Sequence, residues 1–127
     1  MIERIGSIAI ILYANHVQDG IEFLTPGDYS QQLGYMKRPK GYEVSPHYHN
    51  EVKREITRTQ EVLFVKSGCL VVRLYDDNHD YLVMRLLRPG DTILLAGGGH
   101  GFEFLEDSEV IEVKQGPYSG DADKTYI

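Results

Sequence analysis

Short runs of Val, Ile, Leu, Tyr and Phe, cut about every ten residues by turn signals, leave this chain little choice but β structure. No stretch sustains a helical period. Strands are expected at 8–13, 21–24, 32–38, 61–66, 70–75, 81–87, 92–95, 100–104 and 110–114. Thr25-Pro26-Gly27-Asp28, Asp76 to Asp80 and Pro89-Gly90-Asp91 are turns by their residue chemistry. The strands either side of Ser67-Gly68 are expected to pair as a hairpin. Strands at this spacing specify a sandwich or barrel. Residues 50–58 are strongly charged and read as an exposed loop or extended arm, and the tail from Pro117 is polar and irregular.

The 127 residues suit one domain, 1–127, and 42% are apolar, enough for a core. Such a length buries roughly two-thirds of its unfolded surface. With 13 basic against 19 acidic residues the net charge is -6, which disfavours nucleic acid and anionic membranes as partners. A small-molecule substrate is the partner expected. Cys69 is the only cysteine, so no intramolecular disulfide forms, in keeping with a cytoplasmic location, and the thiol is expected to be buried and inert. The apolar stretch after Met1 is short and interrupted by Ser7, so it reads as a strand rather than a signal peptide.

Chemistry concentrates at Pro46-His47-Tyr48-His49. In a strand, residues two apart share a face, so His47 and His49 would present two imidazoles side by side. Tyr42 and Tyr48 would pack on the opposite side. Imidazole suits Zn, Cu, Fe and Ni. His16 and His79 read as surface loop residues. Gly97 to Gly99 read as a tight turn, since no helix start follows to cradle a phosphate.

Gly41, five residues, His47-x-His49, a gap, Glu61, six residues and Gly68 together resemble the first motif of the cupin superfamily. Gly90-Asp91, a hydrophobic strand, a Gly-rich turn and His100 resemble its second. The likeness spans Gly41 to Val113. It implies a cupin double-stranded β-helix, or jelly-roll barrel, with one divalent transition metal (Fe, Mn, Ni, Zn or Co) held by His47, His49, Glu61 and His100. Two departures stand out. Glu61 lies twelve positions after His49, beyond the usual gap, and Ala96 replaces the usual proline. Glu51, on the face of His49, and Glu55, nearest the usual gap, are rival carboxylates. Glu61 is preferred because the strand and Gly68 after it are intact and an insertion at a hairpin tip costs little.

Phe102 and Phe104 share the face of His100 and would wall the pocket. Arg54 and Arg58, in the inserted arm with Lys53, could clamp an anionic substrate. The stretch from Val113 to Lys124 is similar to small cupins that accompany bacterial surface-polysaccharide and sugar biosynthesis. These likenesses imply a metal-dependent isomerase or epimerase acting on a sugar derivative, with a non-haem iron dioxygenase and a non-catalytic binding module as alternatives. A homodimer through exposed strands is the expected assembly.

Overall fold

The computed structural model describes residues 1–127 and is all-β. Ten strands form: β1 (Ile2–Ile5), β2 (Ala9–Leu12), β3 (Gly20–Phe23), β4 (Gly34–Lys37), β5 (Glu61–Ser67), β6 (Leu70–Tyr75), β7 (Tyr81–Leu87), β8 (Thr92–Leu95), β9 (Gly99–Phe104) and β10 (Glu109–Lys114). A single 3₁₀ turn at Gly120–Ala122 interrupts the polar tail. No helix is long and apolar enough to cross a membrane.

Three antiparallel sheets result, in orders β1-β2-β8-β5-β10, β7-β6-β9 and β3-β4. None closes into a barrel. The five-stranded and three-stranded sheets face each other over one core. Ile11, Leu63, Val65, Ile93 and Leu95 come from the first and Leu70, Val72, Leu74 and Leu87 from the second. The alternation of β6 explains its share: Leu70, Val72 and Leu74 turn to one side and are fully buried. A smaller cluster of Ile10, Leu24 and Leu94 lies on the outer side of the five-stranded sheet.

The hairpin expected of β5 and β6 does not form. Gly68, at φ +86°, turns the chain between sheets, so β5 pairs with β8 and β10 while β6 pairs with β7 and β9. The turn after β6 behaves as its residues require. The Asp76 carboxylate accepts from the Asn78 and Asp80 amides, and His79 takes a positive φ of 69°. Asp91 is buried and closes another corner, its two oxygens accepting from the Ala14 and Arg88 amides at 2.8 Å. The first residues form a hairpin that composition did not reveal, β1 against β2 through Gly6.

The largest departure is the segment between β4 and β5. Residues 38–59 contain no strand, and every residue from 36 to 59 is exposed. The expected strand through His47 and His49 is therefore absent. Tyr42 and Tyr48, expected to pack in a second layer, stand in solvent, Tyr48 at 86% exposure. The exposed arm anticipated for 50–58 is present but longer. Its one backbone hydrogen bond runs from the Tyr42 amide to the Pro39 carbonyl.

Candidate functional site

Two of the four expected ligands come together. β6 registers Leu74 against His100, Val72 against Phe102 and Leu70 against Phe104. His100 and the two phenylalanines therefore share the core-facing side of β9. From the opposite sheet, Glu61 at the start of β5 reaches the same space, and its Oε1 lies 2.6 Å from His100 Nε2. Glu61 is buried, whereas Phe102 and Phe104 remain 38% and 56% exposed. The His100 ring stacks on Phe102, centroids 5.3 Å apart. This end of the space between the sheets is open, because β9 is the edge strand of its sheet.

Electrostatics single out Glu61. The His100 hydrogen bond, then contact with the Glu112 carboxyl and the charge of Lys114, hold its pKa well below the usual carboxylate range against the opposing cost of burial. Glu112 moves the other way, upward, because the Glu61 carboxylate is its neighbour. β10 explains the meeting. Lys114 registers against Glu61 and Glu112 against Leu63, so both charged side chains take the inward-facing parity of β10. Neither was expected at the site. The only signal is the alternation of Ile111 and Val113 with Glu112 and Lys114, which does not say which face turns inward. Ile111 and Val113 stand exposed on the outer face, Glu112 is exposed as well, and Lys114 is half-buried.

His47 and His49 stand elsewhere, on the arm. Their rings lie edge to face at 5.4 Å, and His47 Nδ1 is 2.7 Å from the Ser45 carbonyl oxygen. Glu51 and Glu55 lie on the same exposed segment. No three His, Cys, Asp or Glu side chains converge to hold a metal ion. The donor chemistry nevertheless suits one. Cis ligands about 2.1 Å from an ion stand roughly 3 Å apart, so a small shift would let His100 and Glu61 share a metal.

Arg54 and Arg58 do not join Phe102 and Phe104. They line an open cleft of about 860 Å³ with Tyr29, Gln31, Gln60 and Gln115. Gln60 organises it, its side-chain oxygen accepting from the Ser30 hydroxyl and the Gln31 amide. Among the residues read as surface, His79 is exposed, but His16 is not free of partners. Its ring packs edge-on against Tyr35 at 4.8 Å and its Nε2 is 3.7 Å from Glu22. Cys69 is half-buried between β5 and β6 rather than fully buried.

Compared with protein-family models, with curated proteins and with solved structures, the chain matches none.

Proposed function

We infer that this chain is a cupin-type jelly-roll domain that binds one divalent transition metal and acts as an isomerase or epimerase on a small polar molecule, a sugar derivative in the first instance. The observation that carries the reading is the His100–Glu61 pair between the two sheets, at the positions the two sequence motifs mark. The passage of the chain from sheet to sheet at Gly68, after Leu87, after Leu95 and after Phe104 favours a jelly roll. His100 and Glu61 would be ligands from the body of the domain, with His47 and His49 supplying the remaining imidazoles. A bound metal supplies Lewis acidity at a substrate oxygen.

The protein's own groups account for the rest. Glu112 is the proton carrier in this reading, since it lies beside Glu61 on the inward parity of β10 and is not itself needed as a ligand. Phe102 and Phe104 give an apolar wall against which a sugar ring can rest. Lys114, on the face of Glu112 and paired through Nζ with Asp123 at 3.0 Å, adds positive charge beside Glu61.

The test is elemental analysis of the purified protein beside His49→Ala and His100→Ala variants. Stoichiometric metal in the wild type, lost in both variants, supports the reading. No metal after exposure to Fe, Mn, Ni, Zn and Co overturns it. Anaerobic turnover of a candidate sugar with Mn(II) at an undiminished rate excludes the dioxygenase alternative.

A further inference from the structure

We propose that residues 116–127 are a strap latched across the open end of the two sheets, from Lys114 on β10 to Gly99 on β9, which lifts to admit a substrate to the His100–Glu61 pair. What passes beneath the strap rests on the preceding reading, but the latch stands on contacts of its own.

The course of the strap follows from its two ends. Lys114 registers against Glu61, and the Gln115 amide still donates to the Gln60 carbonyl. The strap therefore leaves the five-stranded sheet beside Glu61. Its far end lies on the other sheet, where Ile127 Cδ1 rests on Gly99, the residue before His100. The strap thus runs from a neighbour of one member of the pair to a neighbour of the other. Midway, the turn at Gly120–Ala122 brings Asp123 back onto Lys114, Oδ2 to Nζ at 3.0 Å. The Asp123 side chain is only 13% exposed, so this clasp is well seated. The charge of the next residue, Lys124, acts on Glu112 and favours its ionised form.

Gly99 shows that the far contact is a fitted seat. Within the run Gly97-Gly98-Gly99, the backbone itself requires Gly98. Its φ is +60°, and a Cβ there would overlap the Tyr75 carbonyl. Gly99 is different. It lies in β9, its φ is outside the left-handed region, and strand positions ordinarily favour branched or aromatic side chains. What a Cβ at Gly99 would overlap is the Ile127 side chain. Two positions along the same strand, a Cβ on Gly101 would meet open space. The missing side chain at Gly99 therefore makes room for the strap, a role that turn geometry does not supply.

The latch is light enough to open. No backbone hydrogen bond ties residues 116–127 to the body, and the one bond within the segment, from the Asp123 amide to the Gly120 carbonyl, is internal to it. Ile127 stays 64% exposed on its seat. A segment held by so few contacts opens locally while the core stays folded. The cover is partial: the Glu61 side chain is 10% exposed, that of His100 32%. A strap of this kind admits a small molecule when it lifts and excludes water when it returns.

The experiment uses the full chain without added metal. Limited trypsin digestion at Lys124, followed by mass spectrometry, reads the latch. Gly99→Ala and Asp123→Asn are each expected to be cut there about fivefold faster than the wild type, or more. Gly101→Ala, a control on the same strand, keeps the wild-type rate. Equal cutting at Lys124 in the wild type, Gly99→Ala and Asp123→Asn overturns the latch. Diethyl pyrocarbonate modification of the histidines reads the cover, with exposed His79 as the internal reference. Relative to His79, His100 should react about fivefold faster in Gly99→Ala than in the wild type. A strap that releases while His100 reactivity stays constant overturns its role over the site. If Gly99→Ala does not fold, Ile127→Ala removes the same contact from the other side. A wild type that takes up no metal sinks the metal reading, whereas digestion and modification still decide the strap.

Discussion

His100 Nε2 and Glu61 Oε1 sit 2.6 Å apart, joining β9 of one sheet to β5 of the other at the open end of the core. Neither residue belongs to the apolar cluster that holds the sheets together, so the contact is a polar bridge placed where packing stops. It leaves Glu61 ionised although buried, and it places an imidazole where a ligand can reach it.

Removing the imidazole isolates that carboxylate. His100→Ala is expected to cost about 1–3 kcal/mol, the usual penalty for a buried polar group stripped of its partner. Urea unfolding measures the loss. Carboxyl ¹³C titration should show the Glu61 pKa rising in the variant. An unchanged midpoint and an unchanged Glu61 titration contradict the bridge.

On the proposed isomerase reading, Glu112 should matter for chemistry and not for metal loading. Glu112→Gln keeps the hydrogen-bonding shape of the side chain and removes the titrating proton. Turnover is expected to fall by about 10²–10⁴-fold, with metal content unchanged. Steady-state kinetics beside elemental analysis separates the two effects, and full activity in the variant removes Glu112 from the mechanism.

Alkaline pH should destabilise the β1 and β2 end through Tyr13. Its hydroxyl donates to Glu3 Oε1 at 2.8 Å, and burial, followed by the Glu3 carboxylate, pushes its pKa up to about 12. The unfolded phenol titrates near 10.0, so the stabilisation is complete below that pH and is lost as pH rises through 12. Glu3 behaves in the opposite sense. Arg85, bonded through Nε and Nη2, lowers its pKa, so its contribution is present above the unfolded value of 4.5 and disappears as pH falls through the lowered one. Ultraviolet titration should show a late-titrating phenol that Tyr13→Phe abolishes.

Asp91 is expected to act on stability alone. It satisfies two backbone amides, 77 residues and three residues away in sequence, from a buried position. Asp91→Ala should cost about 2–4 kcal/mol in urea unfolding, since each charge-assisted bond contributes roughly 1.5–3 kcal/mol and the amides are left unpaired. A loss below about 0.5 kcal/mol would show that water replaces the carboxylate.

Much of the framework was legible along the chain. Eight of the nine expected strands lie within two residues of observed ones in β2, β3, β4, β5, β6, β7, β8 and β10, and the ninth matches β9 to within one. Local alternation and turn chemistry act over a few residues, so they can be read there. The unseen strand, β1, is a polar-interrupted Ile-Glu-Arg-Ile that gains its order only by pairing with β2.

By itself, the sequence determined that the fold is all-β and where most of its turns lie, and it pointed to His100 and Glu61, which the structure brings to 2.6 Å of each other. Tertiary structure alone decided that β5 and β6 part company at Gly68, that Glu112 and Lys114 turn toward Glu61, and that His16 finds Tyr35 and Glu22. It alone decided too that His47 and His49 stand on an exposed arm with no strand beside them. The reason is physical. Alternation states which side chains share a face, but a strand exists only when a second backbone satisfies its hydrogen bonds, and no local pattern names where that backbone comes from.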